Sequence, residues 1–131
     1  MNEVYEFLKK AGTYYLATTE NGEPRVRPFG TVDIWDGRLT IQTGLKKAVA
    51  QQMLANPRVE ICASAPDGRW IRLSADAVLI DDIKAAEHML DAYPGLRGMY
   101  TPGDGNTAIF ALENGKATVF SFTAPPAFYE I

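Results

Sequence analysis

The stretch "TYYLATTENGEPRVRPFG", residues 13–30, decides how this chain folds. Its first part is β-branched and aromatic, which favours a strand. Asn21-Gly22 is the dipeptide of a tight hairpin turn, and "EPRVRPFG" follows as the return strand. Side chains alternate along a strand, so Arg25, Arg27 and Phe29 share one face while Val26, Pro28 and Gly30 share the other. A face carrying two arginines and a phenylalanine is neither an ordinary core face nor an ordinary solvated one. Pro28 has no N–H to give, so it is expected to interrupt the hydrogen-bond ladder and leave neighbouring backbone groups facing a ligand.

Working outward, residues 2–11 place Val4, Tyr5, Leu8 and Ala11 at helical spacing and stop at Gly12. "WDGRLTIQTG" adds a turn at Asp36-Gly37 and a strand from Arg38 to Thr43. In "LKKAVAQQMLANP" the period becomes helical, with Leu45, Val49, Met53 and Leu54 inward and Asn56-Pro57 as the stop. "RVEICASA" and "RWIRLSADAVLI" are two strands joined by "PDG". "DDIKAAEHMLDAYPGL" is a helix with Asp81 or Asp82 as N-cap and Pro94-Gly95 as its end. "NTAIFALEN" and "KATVFSFT" are expected to form a closing hairpin around Asn114-Gly115. Strands at hairpin spacing with three helices imply a mainly β chain, an antiparallel barrel with helices packed outside.

The bulk properties bound the function. The 131 residues, 47% hydrophobic, suffice for one domain. With 13 basic against 16 acidic residues the net charge is −3, so no surface-wide field calls for nucleic acid or an anionic membrane. An anion site must be local. The single cysteine, Cys62, excludes an internal disulfide and points to the cytoplasm; in its apolar strand it reads as a small core residue. One histidine, His88, leaves no Cys/His set for zinc and reads as a surface or helix-packing residue. The N-terminus has no signal-peptide pattern, and no run approaches the roughly 18 apolar residues of a membrane helix.

Two segments carry chemistry. In "TIQTGLKK" a strand ends at Thr43-Gly44 and a helix begins around Lys46-Lys47. Free N–H groups at a helix start attract anions, and a hydroxyl with two ammonium groups there would bind phosphate. The alternative is a solvated helix start with two surface lysines. If the arginine strand lies beside that junction, Arg25 and Arg27 can meet the same anion or a flat electron-rich ligand, with Phe29 in apolar contact; the alternative is a rim strand with its arginines in water. In "RWIRL", Trp70 and Arg72 share a face, either as half of a cross-strand aromatic pair or as the lining of a flat pocket. The glycine-rich "TPGDGNT" lacks the spacing and the following lysine of a phosphate loop and reads as a flexible connection.

Taken together, "PRVRPFG", "LTIQTGLKKAVAQQMLANPRVEIC" and "RWIRLSADA" resemble the flavin-binding split-barrel family related to pyridoxamine phosphate oxidase, and within it the short nitroimidazole-resistance-like branch. The resemblance implies a six-stranded antiparallel split β-barrel with flanking helices, a homodimer, and flavin mononucleotide (FMN) between the subunits. It implies that Arg25, Arg27, Pro28 and Phe29 lie along the flavin, that Thr43, Lys46 and Lys47 hold its phosphate, and that Trp70, Arg72 and Gln42 sit near the site. Tyr100 is expected beside Arg27 and Trp70 at the flavin edge. The family's C-terminal Arg-Leu-x-Pro segment is absent from "FTAPPAFYEI", so pyridoxamine phosphate oxidation is not expected. What remains is a small flavin-dependent oxidoreductase with a nitroaromatic or quinone-like acceptor, a non-enzymatic flavin-binding electron carrier, or a split barrel that holds another cofactor, a deazaflavin or a haem, with the lone helical histidine arguing against haem.

Overall fold

A computed structural model describes residues 1–131. Six strands of seven residues or more make the barrel wall: β1 (Tyr14–Glu20), β2 (Glu23–Phe29), β4 (Arg38–Gly44), β5 (Arg58–Ser64), β6 (Trp70–Ile80) and β7 (Thr107–Phe120). Two short strands, β3 (Asp33–Trp35) and β8 (Ala127–Glu130), complete one antiparallel sheet ordered β2-β1-β5-β6-β7-β4-β3, with β8 also on β7. The helices are α1 (Asn2–Ala11), α2 (Ala48–Ala55) and α3 (Ile83–Ala92). The fold is mainly β, a split barrel with flanking helices.

The tight turns follow from local chemistry. Asn21-Gly22 and Asp36-Gly37 both have positive φ at each residue, the backbone that a two-residue hairpin requires. One core collects Leu16, Leu39, Ile41, Ile61, Ile71 and Leu73 from the inward strand faces, Val4, Phe7 and Leu8 from α1, and Val49, Ala50 and Met53 from α2. A smaller cluster packs α3, through Ala85, Ala86 and Met89, onto Ile109. Asp82 is the α3 cap, accepting from the Lys84 N–H.

Several sequence expectations are corrected. Asn114-Gly115 is no turn: β7 runs unbroken from Thr107 to Phe120 along β6, and Asn114, at φ 52, lies beside the register shift between Ser74 and Asp76. A positive-φ residue serves a bulge as well as a turn. The closing hairpin is β7–β8 instead, and a Cβ on Gly115 would come within 2.3 Å of the Ile131 side chain. Helix α2 begins at Ala48, after the lysines, and turns Gln52 rather than Leu54 inward. Cys62 is exposed, because Val59, Ile61 and Ala63 take the core face of β5. Pro28 does not break the ladder: β2 is the sheet edge, so its missing N–H faces away from β1 and the register runs on from Tyr14–Phe29 to Glu20–Glu23.

No helix is long and apolar enough to cross a membrane. The inward orientation of α2 sets an expectation for neighbouring residues. Met53→Ala should cost about 2–5 kcal/mol by urea unfolding, whereas Leu54→Ala, at a side chain 48% exposed, should stay within about 0.5 kcal/mol. Equal losses would mean that the helix face is misassigned.

Candidate functional site

The sheet does not close by a ladder. Between β2 and β4 the chain passes through Gly30–Val32, where side chains take the Thr31 carbonyl and both backbone groups of Val32. Tyr14 Oη donates to the Thr31 carbonyl at 2.6 Å, and the Tyr93 hydroxyl both donates to the Val32 carbonyl and accepts from its N–H, each at 3.1 Å. The Thr31 hydroxyl accepts from the Gln42 N–H at 3.0 Å. Burial holds the Tyr14 phenol well above its ordinary pKa, so it stays a donor.

A groove of about 220 Å³ opens along this seam. Arg27, Pro28, Phe29 and Thr31 form one wall; Gln42, Thr43 and Lys47 form the other; Leu96, Met99 and Tyr100, from the 3-10 turn Pro94–Gly98 and the residues after it, form an apolar flank. Two cations and no carboxylate line it, on a chain whose net charge is negative. The N-cap of α2, Lys47, makes no side-chain capping bond, so the first-turn N–H groups remain free to donate.

Gln42 carries one of two unpaired buried side-chain oxygens on β4. It is only 6% exposed, lines the groove, and its Oε1 has no hydrogen-bond partner. A buried polar atom left unpaired costs about 1–3 kcal/mol, and Thr40 Oγ1, two residues earlier on β4 and outside the groove lining, is unpaired in the same way.

Arg27 lies on the inward face of β2, opposite Leu16. Its guanidinium donates to the Leu16 carbonyl at 3.1 Å, Thr18 Oγ1 at 2.8 Å and Gln52 Oε1 at 2.6 Å, while Gln52 Nε2 donates to Glu20 at 3.3 Å. This explains why a glutamine is buried in α2. Burial, followed by the neighbouring Arg25, lowers the Arg27 pKa without threatening its charge. The arginine is thereby a fixed cation.

Of the residues singled out from the sequence, the seam therefore brings together Arg27, Pro28, Phe29, Gln42, Thr43 and Lys47, with Tyr100. Arg25 is turned away, paired with Glu20 at 3.4 Å and Glu23 at 3.2 Å. Lys46 is exposed beside the groove, its N–H donated to Asn106 Oδ1. Trp70 stacks on Phe120 at 5.5 Å and Arg72 covers the same ring at 4.8 Å, both away from the groove. His88 bonds through Nδ1 to the buried Asp33 at 2.5 Å, also outside it. The sequence reading missed Thr31, Leu96 and Met99, whose only signal was their position after a chain-reversing Gly or Pro. "TPGDGNT" is no slack connection, since Asp104 binds three backbone N–H groups within it.

The architecture is a split barrel whose seam carries a groove lined by two cations and an apolar flank. The chain belongs to the pyridoxamine 5'-phosphate oxidase family, whose pattern it matches over residues 1–119. It falls in the nitroimidazole-resistance-like branch: a NimC/NimA family protein from Clostridium acetobutylicum is 38% identical, with a TM-score of 0.97 over 100% of this chain and 92% of that one. Two further solved structures share the fold alone. General Stress Protein 26 from Bacillus anthracis has 16% identity and a TM-score of 0.78 over 99% of this chain and 97% of that one. A heme binding protein from Mycobacterium smegmatis has 15% identity and a TM-score of 0.74 over 96% of this chain and 57% of that one. Comparison with curated protein sequences found no match.

The network around Arg27 yields a direct expectation. Arg27→Lys keeps the charge but loses the fork that serves Thr18 and Gln52, and should lower apo-protein stability by about 1 kcal/mol in urea unfolding. A variant as stable as the parent would mean that the fork does not hold α2 to the hairpin.

Proposed function

We propose that the groove binds FMN and that the protein is a small flavin-dependent oxidoreductase delivering electrons to a flat acceptor such as a nitroaromatic or a quinone. The observation that carries this reading is the seam itself, where Arg27 and Lys47 meet an apolar flank with no carboxylate present. Residues and ligand fit: Thr43, Lys47 and the uncapped α2 amides suit a phosphate, with Lys46 adding charge nearby. Pro28, Phe29 and Tyr100 suit a planar ring, with Gln42 beside them in the lining.

A bound flavin supplies the redox chemistry. The chain's residues bind, orient and bias. Arg27, immobilised by Thr18 and Gln52, favours negative charge developing on whatever lies in the groove. Phe29, Leu96 and Tyr100 keep water from the ring face. Haem is disfavoured because the one histidine, His88, is engaged by Asp33 outside the groove.

The cofactor is proposed to lie between two subunits. A groove of about 220 Å³ is smaller than the roughly 300–1,000 Å³ of complete ligand pockets, so a second surface is needed to enclose the molecule. The outer sheet face offers one, exposing Tyr15, Val26 and Phe128, with Phe122 beside it on the segment between β7 and β8. Trp70 and Arg72 belong to that face, and a twofold partner is their route to the site.

The test is reconstitution followed by light scattering and mass spectrometry of the released ligand. One FMN per subunit in a dimer is expected, and Lys47→Ala should weaken binding by about 1.5–3 kcal/mol with the apo stability unchanged. Retention of haem or of no flavin, or a flavin-loaded monomer, would overturn the reading. The acceptor is tested by reducing the bound flavin without oxygen and following its reoxidation. Reoxidation by a nitroaromatic or quinone supports the enzyme; reoxidation by oxygen alone makes the protein an electron carrier.

A further inference from the structure

No residue of the loop Thr101–Thr107 lines the groove, yet Asp104 within it gathers three backbone N–H groups and a hydroxyl. Asp104 Oδ1 accepts from the N–H groups of Asn106 at 2.8 Å and Thr107 at 2.6 Å; Oδ2 accepts from the Thr101 N–H and the Thr107 hydroxyl, each at 3.0 Å. Those backbone donors, from Thr107, Asn106 and Thr101 in that order, hold the carboxyl far below the usual carboxylate range. It is an anion throughout the working range.

Asn106, fixed in this way, reaches across to the segment that leaves β4. Its carbonyl accepts from the Leu45 N–H at 2.7 Å and its side-chain Oδ1 accepts from the Lys46 N–H at 3.0 Å. The contact is close. A Cβ on Gly44 would stand 3.1 and 3.2 Å from the Asn106 amide atoms and 3.3 Å from the Tyr100 ring, so the loop sits directly on the turn that glycine keeps open. The turn then closes on itself, the Lys47 N–H donating to the Gly44 carbonyl at 3.0 Å, which brings Lys47 to the groove beside Thr43.

We infer that Asp104 is a positioning residue for the phosphate end of the groove, acting through Asn106 on the Gly44–Lys47 turn. This rests on the flavin reading above and adds a residue that never meets the ligand. The sign of its effect separates positioning from simple charge. A carboxylate near an anion site repels the anion, so on Coulomb grounds alone its removal would tighten binding. If Asp104 acts by holding Asn106, its removal loosens the turn and weakens binding instead.

The experiment measures dissociation constants of FMN and of riboflavin by flavin fluorescence, for the parent and for Asp104→Ala, Asp104→Asn and Asn106→Ala, together with the melting temperature of each apo-protein. Asp104→Ala and Asn106→Ala should each weaken FMN binding by about tenfold, the loss of one good hydrogen bond's worth of order, and leave riboflavin within about twofold. Asp104→Asn keeps one acceptor oxygen for the Asn106 and Thr107 amides, and most of the FMN affinity should return with it. FMN affinity that is unchanged or tighter in Asp104→Ala overturns the inference. So does an equal loss of FMN and riboflavin with a lowered melting temperature, which would make Asp104 a stability residue only. A parent protein that binds neither flavin overturns the flavin reading and this inference together, an outcome distinct from parent binding that Asp104→Ala leaves alone.

Discussion

Where the barrel would need one more ladder to close, it has a few side-chain hydrogen bonds instead. The Gly30–Val32 backbone is held by the hydroxyls of Tyr14 and Tyr93, and Thr31 reaches the Gln42 N–H across the gap. Backbone pairing there would have spent those groups and filled the space between β2 and β4. Side chains reach the Thr31 carbonyl and both backbone groups of Val32 across a longer span than a ladder would, so the seam is bridged and still wide enough for a groove. The groove therefore follows from how the chain solves an edge-strand problem.

The seam also sets the electrostatics. The chain is acidic overall, yet no carboxylate lines this groove. Glu20 and Glu23 are near in sequence but are drawn off by Arg25, and Glu20 also takes the Gln52 amide. Arg25 thus takes both acids in ion pairs, and Arg27 stays a fixed cation on the inward face, touched by the Glu20 charge only at longer range. Strand alternation places the two arginines on one face; their partners give them opposite work. Lys47 stands across the gap on a turn whose Leu45 and Lys46 amides are taken by Asn106 and whose Lys47 amide is taken by the Gly44 carbonyl, which leaves the Lys47 side chain and the first-turn amides of α2 unengaged beside the groove.

Much of this was legible in the sequence, for identifiable reasons. Asn21-Gly22 and Asp36-Gly37 are real turns because each ends two strands that go on to pair with each other. Asn114-Gly115 carries the same signal and is not a turn, because the chain on both sides pairs with β6 and the positive φ of Asn114 is absorbed beside a register shift. Local sequence cannot tell those cases apart; the partner strand decides. Gln52 likewise lies inward against its polarity because Arg27 and Thr18 complete its hydrogen bonds, whereas Leu54, apolar and at a plausible helical position, is left outside. The Trp70–Arg72 alternation was readable, but not which side the groove would occupy. Leu96, Met99 and Thr31 were invisible, since a groove flank made of a 3-10 turn and a linking segment has no periodicity.

The claim that matters most is that the seam between β2 and β4 is a flavin site, and it is tested most directly by a crystal structure of the protein grown with FMN. Density for the phosphate against Thr43 and Lys47, with the ring along Pro28 and Phe29 and a second subunit over its other side, is the expected result. FMN seated elsewhere on the barrel, or a seam that holds only solvent while the flavin is bound in solution, would contradict it.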